Sequence, residues 1–141
     1  KNAVLYSEFL TLSQLPANIN TIIIDSIGML SRLYKYATIC FVGGAFGEDG
    51  VHNVLEAAVY HKPVVFGPVY DKYLEAVQLE ECGAAFSAEN VLGLEGIFND
   101  LFNDNDLYDN ACNAAAQYIK SKSGATKQIL SYIEQHILKP K

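Results

Sequence analysis

Short, continuously apolar runs alternate with helical patterns along the first two thirds of the chain. The runs "AVLY" (3–6), "TIII" (21–24), "TICFV" (38–42), "PVVF" (63–66) and "AAF" (84–86) have the composition of strands. None alternates apolar with polar residues, which suits strands covered on both faces. Helical patterns lie between the later runs, at about 27–36, 53–61 and 72–82. Strand–helix–strand repetition with short connections predicts a parallel sheet with right-handed crossovers, an α/β fold with flanking helices.

Beyond the last run the pattern is helical throughout. Leu94, Ile97, Phe98 and Leu101 fall at i, i+3, i+4 and i+7 and make one amphipathic stripe. Leu107, Ala111, Ala114, Ala115 and Tyr118 make a second, separated from the first by "NDND" (103–106). After "KSKSG" (120–124), Ser123 is the expected N-cap of a third helix carrying Ile129, Ile133 and Ile137. Residues 7–20, with Pro16, follow neither period.

A chain of 141 residues favours one domain, here 1–141. Half of it is hydrophobic and 18% is charged, so a packed core is expected rather than disorder. The net charge is −6 and the ten basic residues are dispersed, a poor footprint for nucleic acid or an anionic membrane. That balance leaves room for a small anion held by backbone amides. Cys40, Cys82 and Cys112 are isolated, without C-x-x-C spacing, which argues against a disulfide framework or zinc site and fits a reducing compartment. No stretch reaches the roughly 18 apolar residues of a membrane span. The opening "KNAVLYSEF" lacks Met and is already strand-like, so the chain is expected to be part of a larger protein.

The chemistry concentrates in "FVGGAFGEDGVHNVLEAA" (41–58), which passes from strand to helix through four glycines and two acids. In open parallel sheets, ligands sit beyond the carboxyl ends of the strands, where such loops cluster. Gly43 and Gly44 would let backbone approach a ligand, and a helix starting near Asn53 would aim its free amides at an anion. Asn53 can cap that helix or donate to a phosphate oxygen. Glu56, three residues on, can accept two hydrogen bonds from a sugar diol. The same residues equally describe a long turn, an ordinary cap and a solvated surface charge, and His52 beside them commonly serves the local backbone.

Two further strand–helix junctions repeat the pattern. "IIIDSIGML" (22–30) places Gly28 early in a helix, where it costs about 1 kcal/mol relative to alanine. Either a ligand lies against that turn or the helix packs closely on the sheet. "VVFGPVYDKY" (64–73) adds Gly67 and Pro68 at a strand end, and three such loops at one sheet edge would make one crevice. Asp25, Glu48, Asp49 and Glu56 are the acids able to gather around a metal, but loop-end acids ordinarily stay solvated or cap helices, and no metal is expected. A G-x-S-x-G elbow, an H-E-x-x-H pair and a Walker lysine are absent from the sequence.

Taken in order, "DSIGML…YATICFVGGAFGEDGVHNVLEAAVYHKPVVFGPVYDKYLEA" resembles the carboxyl-terminal half of the 3-deoxy-D-manno-octulosonic acid (Kdo) transferases. The family pattern reads approximately D-T-M-G-E-L, F-V-G-G-S, G-G-H-N-x-L-E-P-A and P-V-x-x-G-P. The likeness runs from about Asp25 to Glu75, and "GATKQIL" (124–130) extends it. It implies one Rossmann-like half of a two-domain GT-B glycosyltransferase. It also implies a CMP-Kdo donor bound mainly here and a lipid A precursor as acceptor on the amino-terminal domain. That other domain would bring the catalytic glutamate base and the membrane contact, at the cytoplasmic face of the bacterial inner membrane. Neither cofactor nor metal is implied.

By resemblance, the family's CMP-contacting M-G-E falls on Ile27, Gly28 and Met29, its glycine pair on Gly43 and Gly44, and its N-x-L-E on Asn53, Val54, Leu55 and Glu56. Met29 stands in place of an acid, Val51 in place of a glycine, and Ala57 where proline often follows the glutamate. The family's arginine-bearing P-R element, which contacts CMP, would lie before residue 1. The isolated chain is therefore expected to bind CMP weakly and to transfer nothing. A GT-B enzyme using a UDP-sugar and a non-catalytic nucleotide-binding or interaction domain are the alternatives that the residues leave open.

Overall fold

The computed structural model describes residues 2–14 and 16–138. The chain divides into two compact units, one ending at Ala37 and the other beginning at Thr38. The expected strands are present and every pairing is parallel, but they form two ladders.

In the first unit, β1 (Ala3–Leu5) pairs with β2 (Thr21–Ile23) in the register Ala3↔Thr21 to Leu5↔Ile23. Tyr6 does not extend β1. It opens a one-turn helix, α1 (Tyr6–Phe9), in the stretch that lacked a pattern. The helix expected at 27–36 is shorter, with α2 spanning Leu30–Leu33 and a 3-10 turn Tyr34–Tyr36. Gly28 stands outside it at φ +86°, a left-handed conformation that no helix continues. The energetic puzzle of a glycine inside a helix therefore dissolves.

In the second unit, β3 (Cys40–Phe41), β4 (Val64–Phe66) and β5 (Ala85–Ser87) form a sheet in the order β3-β4-β5. The continuous apolar run of β4 takes the middle place, and Val64, Val65 and Phe66 are each 0% exposed. By contrast Ile22 and Ile23 of β2 remain 45% and 49% exposed, so coverage on both faces is the property of β4 alone. Buried Cys40 has its thiol pushed up to about 11 by desolvation, which makes it a packing residue and not a nucleophile.

Crossovers are made by α3 (Leu55–Ala58) and α4 (Leu74–Glu81), and Ala57, Ala58, Ala76 and Leu79 are their buried residues. Three helices follow: α5 (Val91–Asn103), α6 (Asn105–Lys122) and α7 (Ala125–His136). Asn90 caps α5 by accepting from the Gly93 amide at 3.0 Å, and Asp104 caps α6 by accepting from Leu107 at 3.0 Å. The α6 stripe seats Ala111, Ala115 and Tyr118 in the core, and the Tyr118 hydroxyl donates to Gln78 Oε1 of α4 at 3.0 Å. Ser123 is not the cap of α7. It closes α6, donating to the Lys120 carbonyl at 3.0 Å, and Gly124 at φ +106° makes the break before the next helix. None of the α7 residues is fully buried. Among the described residues no helix is long and apolar enough to cross a membrane.

Candidate functional site

The loop after β3 is folded onto itself and onto the segment after β4. Val42 extends the ladder by donating to the Val65 carbonyl at 2.9 Å. Two more bonds then shape the loop, Gly47 N–H to Gly44 O at 2.8 Å and His52 N–H to Gly43 O at 3.0 Å. A further pair stitches it to the next loop, with Val69 donating to Ala45 O and Val51 to Val69 O, each at 3.0 Å. Buried backbone polar groups seek partners, so a loop satisfied in this way holds one shape.

This stitching revises the reason for the glycines. Gly44 lies at φ +95°, and a Cβ there would stand 2.3 Å from the Gly50 carbonyl oxygen. At Gly67 a Cβ would meet Ala45 backbone and the Phe46 ring at 2.7–2.9 Å. At both positions the close approach of neighbouring loop atoms already excludes a side chain. Gly43 differs, since the nearest atom to its Cβ position is the His52 ring carbon at 4.0 Å.

Asn53 is committed on both sides of its amide. Its Oδ1 accepts from the Leu55 amide at 3.1 Å, and its Nδ2 donates to Glu56 Oε1 at 3.2 Å. The first bond postpones the helix expected from residue 53 to Leu55, and α3 lasts one turn. A single turn carries little macrodipole, so anion binding here would rest on individual loop amides rather than on a helix end. The second bond aims the half-buried Glu56 carboxylate and leaves it further acceptor capacity.

Val51, His52, Asn53, Val54, Leu55, Tyr73 and Glu75 line an open cleft of about 520 Å³ beside these groups. Neither lysine nor arginine lines it, so its polar side chains are the neutral donors and acceptors of His52, Asn53 and Tyr73 and the Glu75 carboxylate, set among apolar surface. Tyr73 and Glu75 belong to the cleft although no local signal in the sequence marked them. Gly43, Gly44, Asn53, Val54, Leu55 and Glu56 are thus gathered in the second unit. Ile27, Gly28 and Met29 lie in the first. Ile27 is fully exposed there, and the Ser26 hydroxyl donates to Met29 Sδ at 2.9 Å.

Asp25, at the end of β2, accepts from the Ser7 amide at 3.1 Å and from the Ser7 hydroxyl. The Ser7 side-chain bond is the main cause holding its pKa below the ordinary 3.8. A depressed carboxylate contributes to folding above its unfolded pKa, and the contribution is lost as pH falls through the folded value. The Ser7 amide resonance should accordingly titrate below 3.8. Ser7→Ala should move that titration of Asp25 upward, and an unmoved titration would show that the pair does not form. Among the described residues no three His, Cys, Asp or Glu side chains gather to hold a metal ion.

Parallel strands joined through helices, with a glycine loop at the carboxyl end of the sheet, define a Rossmann-like α/β domain. No family model matches the chain. A 3-deoxy-D-manno-octulosonic acid transferase of Chlamydia trachomatis serovar D is 35% identical over 106 residues, 74% of this chain and 23% of that protein. The Aquifex aeolicus transferase of the same name is 38% identical over 72 residues, 50% of this chain and 20% of that protein. Among solved structures, the C-terminal CMP-Kdo binding domain of WaaA from Acinetobacter baumannii superposes with a TM-score of 0.71 at 25% identity, covering 82% of this chain and 59% of that one. The chain is similar in sequence to 3-deoxy-D-manno-octulosonic acid transferases and shares the α/β fold of that carboxyl-terminal domain. It spans less than a quarter of the length of the curated relatives.

Proposed function

We propose that residues 1–141 form the donor-binding domain of an inverting glycosyltransferase that moves Kdo from CMP-Kdo to a lipid A precursor. The observation that carries this reading is the likeness to a CMP-Kdo binding domain over 82% of the chain. Glu56 supports it, because this carboxylate, held by Asn53 of the cleft lining, is a ready acceptor for a ribose diol. Backbone at Gly43, Gly44, Asn53 and Val54 is assigned to the phosphate, with Leu55 as an apolar wall. Ile27, Gly28 and Met29 contribute backbone contacts to the nucleotide.

In the full-length transferase, a base on the other domain deprotonates the acceptor hydroxyl, which attacks the anomeric carbon of Kdo. The bond to the CMP phosphate breaks, and amides facing that phosphate stabilise the charge it acquires. The acceptor and the cytoplasmic face of the inner membrane are met by that other domain. The residues of this chain are assigned to the donor, and the transfer chemistry to the other domain.

Titration with CMP, followed by amide NMR, tests the reading. CMP should shift resonances of residues 43–56 and 26–29 more strongly than UDP does. Glu56→Ala should weaken CMP binding about tenfold or more, the worth of a hydrogen bond to a charged group. Equal affinity of wild type and E56A would remove Glu56 from the site. A preference for UDP would replace the donor by a UDP-sugar.

A further inference from the structure

Tyr73 touches the glycine loop twice, from 24 positions away in the sequence. Its hydroxyl donates to the Asp49 carbonyl. Its ring lies on Gly50, where a Cβ would stand 2.5 Å from Tyr73 Cε2 and 3.0 Å from the hydroxyl oxygen. Gly50 sits at φ +85°, buried beneath that ring, although Asp49 before it is exposed. Tyr73 is itself anchored, because its amide donates to the Tyr70 carbonyl at 2.8 Å and its carbonyl accepts from Ala76 and Val77 at the start of α4. The same side chain lines the cleft together with His52, Asn53 and Glu75.

We propose that Tyr73 is a positioning residue, a latch that fixes the 43–53 loop to the start of α4 and so sets the placement of Asn53 and Glu56 for a nucleotide. The inference deepens the donor-binding reading and rests on it for the identity of the ligand. The stitch through Val69 holds the loop at Ala45 and Val51. Between those points residues 46–49 are exposed, and the Gly47 N–H to Gly44 O bond ties the segment only to the loop itself, so the tyrosine is what joins it to the start of α4. The ring gives contact area and the hydroxyl gives direction, since a carbonyl accepts only over a limited range of angles.

The two parts separate experimentally. Tyr73→Phe keeps the ring on Gly50 and removes only the hydroxyl, whereas Tyr73→Ala removes both. In Y73F, amide hydrogen exchange at Gly50 and Val51 should accelerate about fivefold, the scale of one neutral hydrogen bond, with exchange at Val64 and Val65 of β4 unchanged. CMP affinity should fall by a similar factor without loss of the folded core. Wild-type exchange at Gly50 and Val51 in Y73F would overturn the hydroxyl latch. Equal acceleration in β4 would overturn it too, by showing a general loss of stability. If wild type binds no CMP, the donor-binding reading fails. The exchange comparison then still judges the latch, because it needs no ligand.

Discussion

Phe66→Ala should destabilise the second unit by about 3–5 kcal/mol, the usual result of truncating a fully enclosed aromatic side chain. Phe66 is 0% exposed, closes the central strand β4, and packs at a tilt against Tyr70 with ring centroids 5.0 Å apart. Its neighbours across the ladder, through Ser87 and the Ala88 amide that donates to its carbonyl, are held by β5 and cannot collapse freely into the space. Small domains have only about 5–15 kcal/mol of total stability, so this single change removes a large share. Urea denaturation followed by tyrosine fluorescence gives the difference as a lowered midpoint. A loss below about 1 kcal/mol would mean that the core does not close around this ring.

Gly44→Ala should be the most damaging change within the glycine loop beside the cleft. A left-handed conformation costs a non-glycine residue about 1–3 kcal/mol, and the added methyl would have to push the Gly50 carbonyl from 2.3 Å to ordinary contact. That carbonyl belongs to the segment under Tyr73, so the loop must open where its shape matters most. CMP affinity should fall by more than tenfold while the far side of the sheet stays folded. Gly47→Ala is the control, since its Cβ position has nothing nearer than 3.4 Å. If both variants bind alike, the loop does not set the affinity.

The strands were legible because five apolar runs are bounded by polar or glycine-rich stretches, and burial enforces that pattern. Helix limits were less so, for reasons seen at single residues. The Asn53 side chain takes the Leu55 amide and delays α3, and His61 at φ 56° ends the turn two residues before Pro63. Gly28 read as helical because nothing local reveals a positive φ. The motif residues from Gly43 to Glu56 were visible through their order and spacing. Tyr73 was not, because its partner lies 24 residues away and only the crossover through β4 brings them together. The packing demand on Gly44 and Gly67 was not visible beforehand, because the atoms that crowd them come from other parts of the loops. Spacing marks bare backbone, but only the fold says what approaches it.

The stitched loop has a consequence for the way a ligand arrives. Ordering a free peptide segment surrenders about 1–2 kcal/mol of conformational entropy per residue. Here the bonds from His52 to Gly43, Val51 to Val69 and Val69 to Ala45 impose that loss as the chain folds, before any ligand is present. Association is then an encounter with a preformed receptor, close to lock-and-key, rather than a folding event triggered by contact. Nucleotides that differ in fit would enter at similar speeds and be told apart by how long they stay.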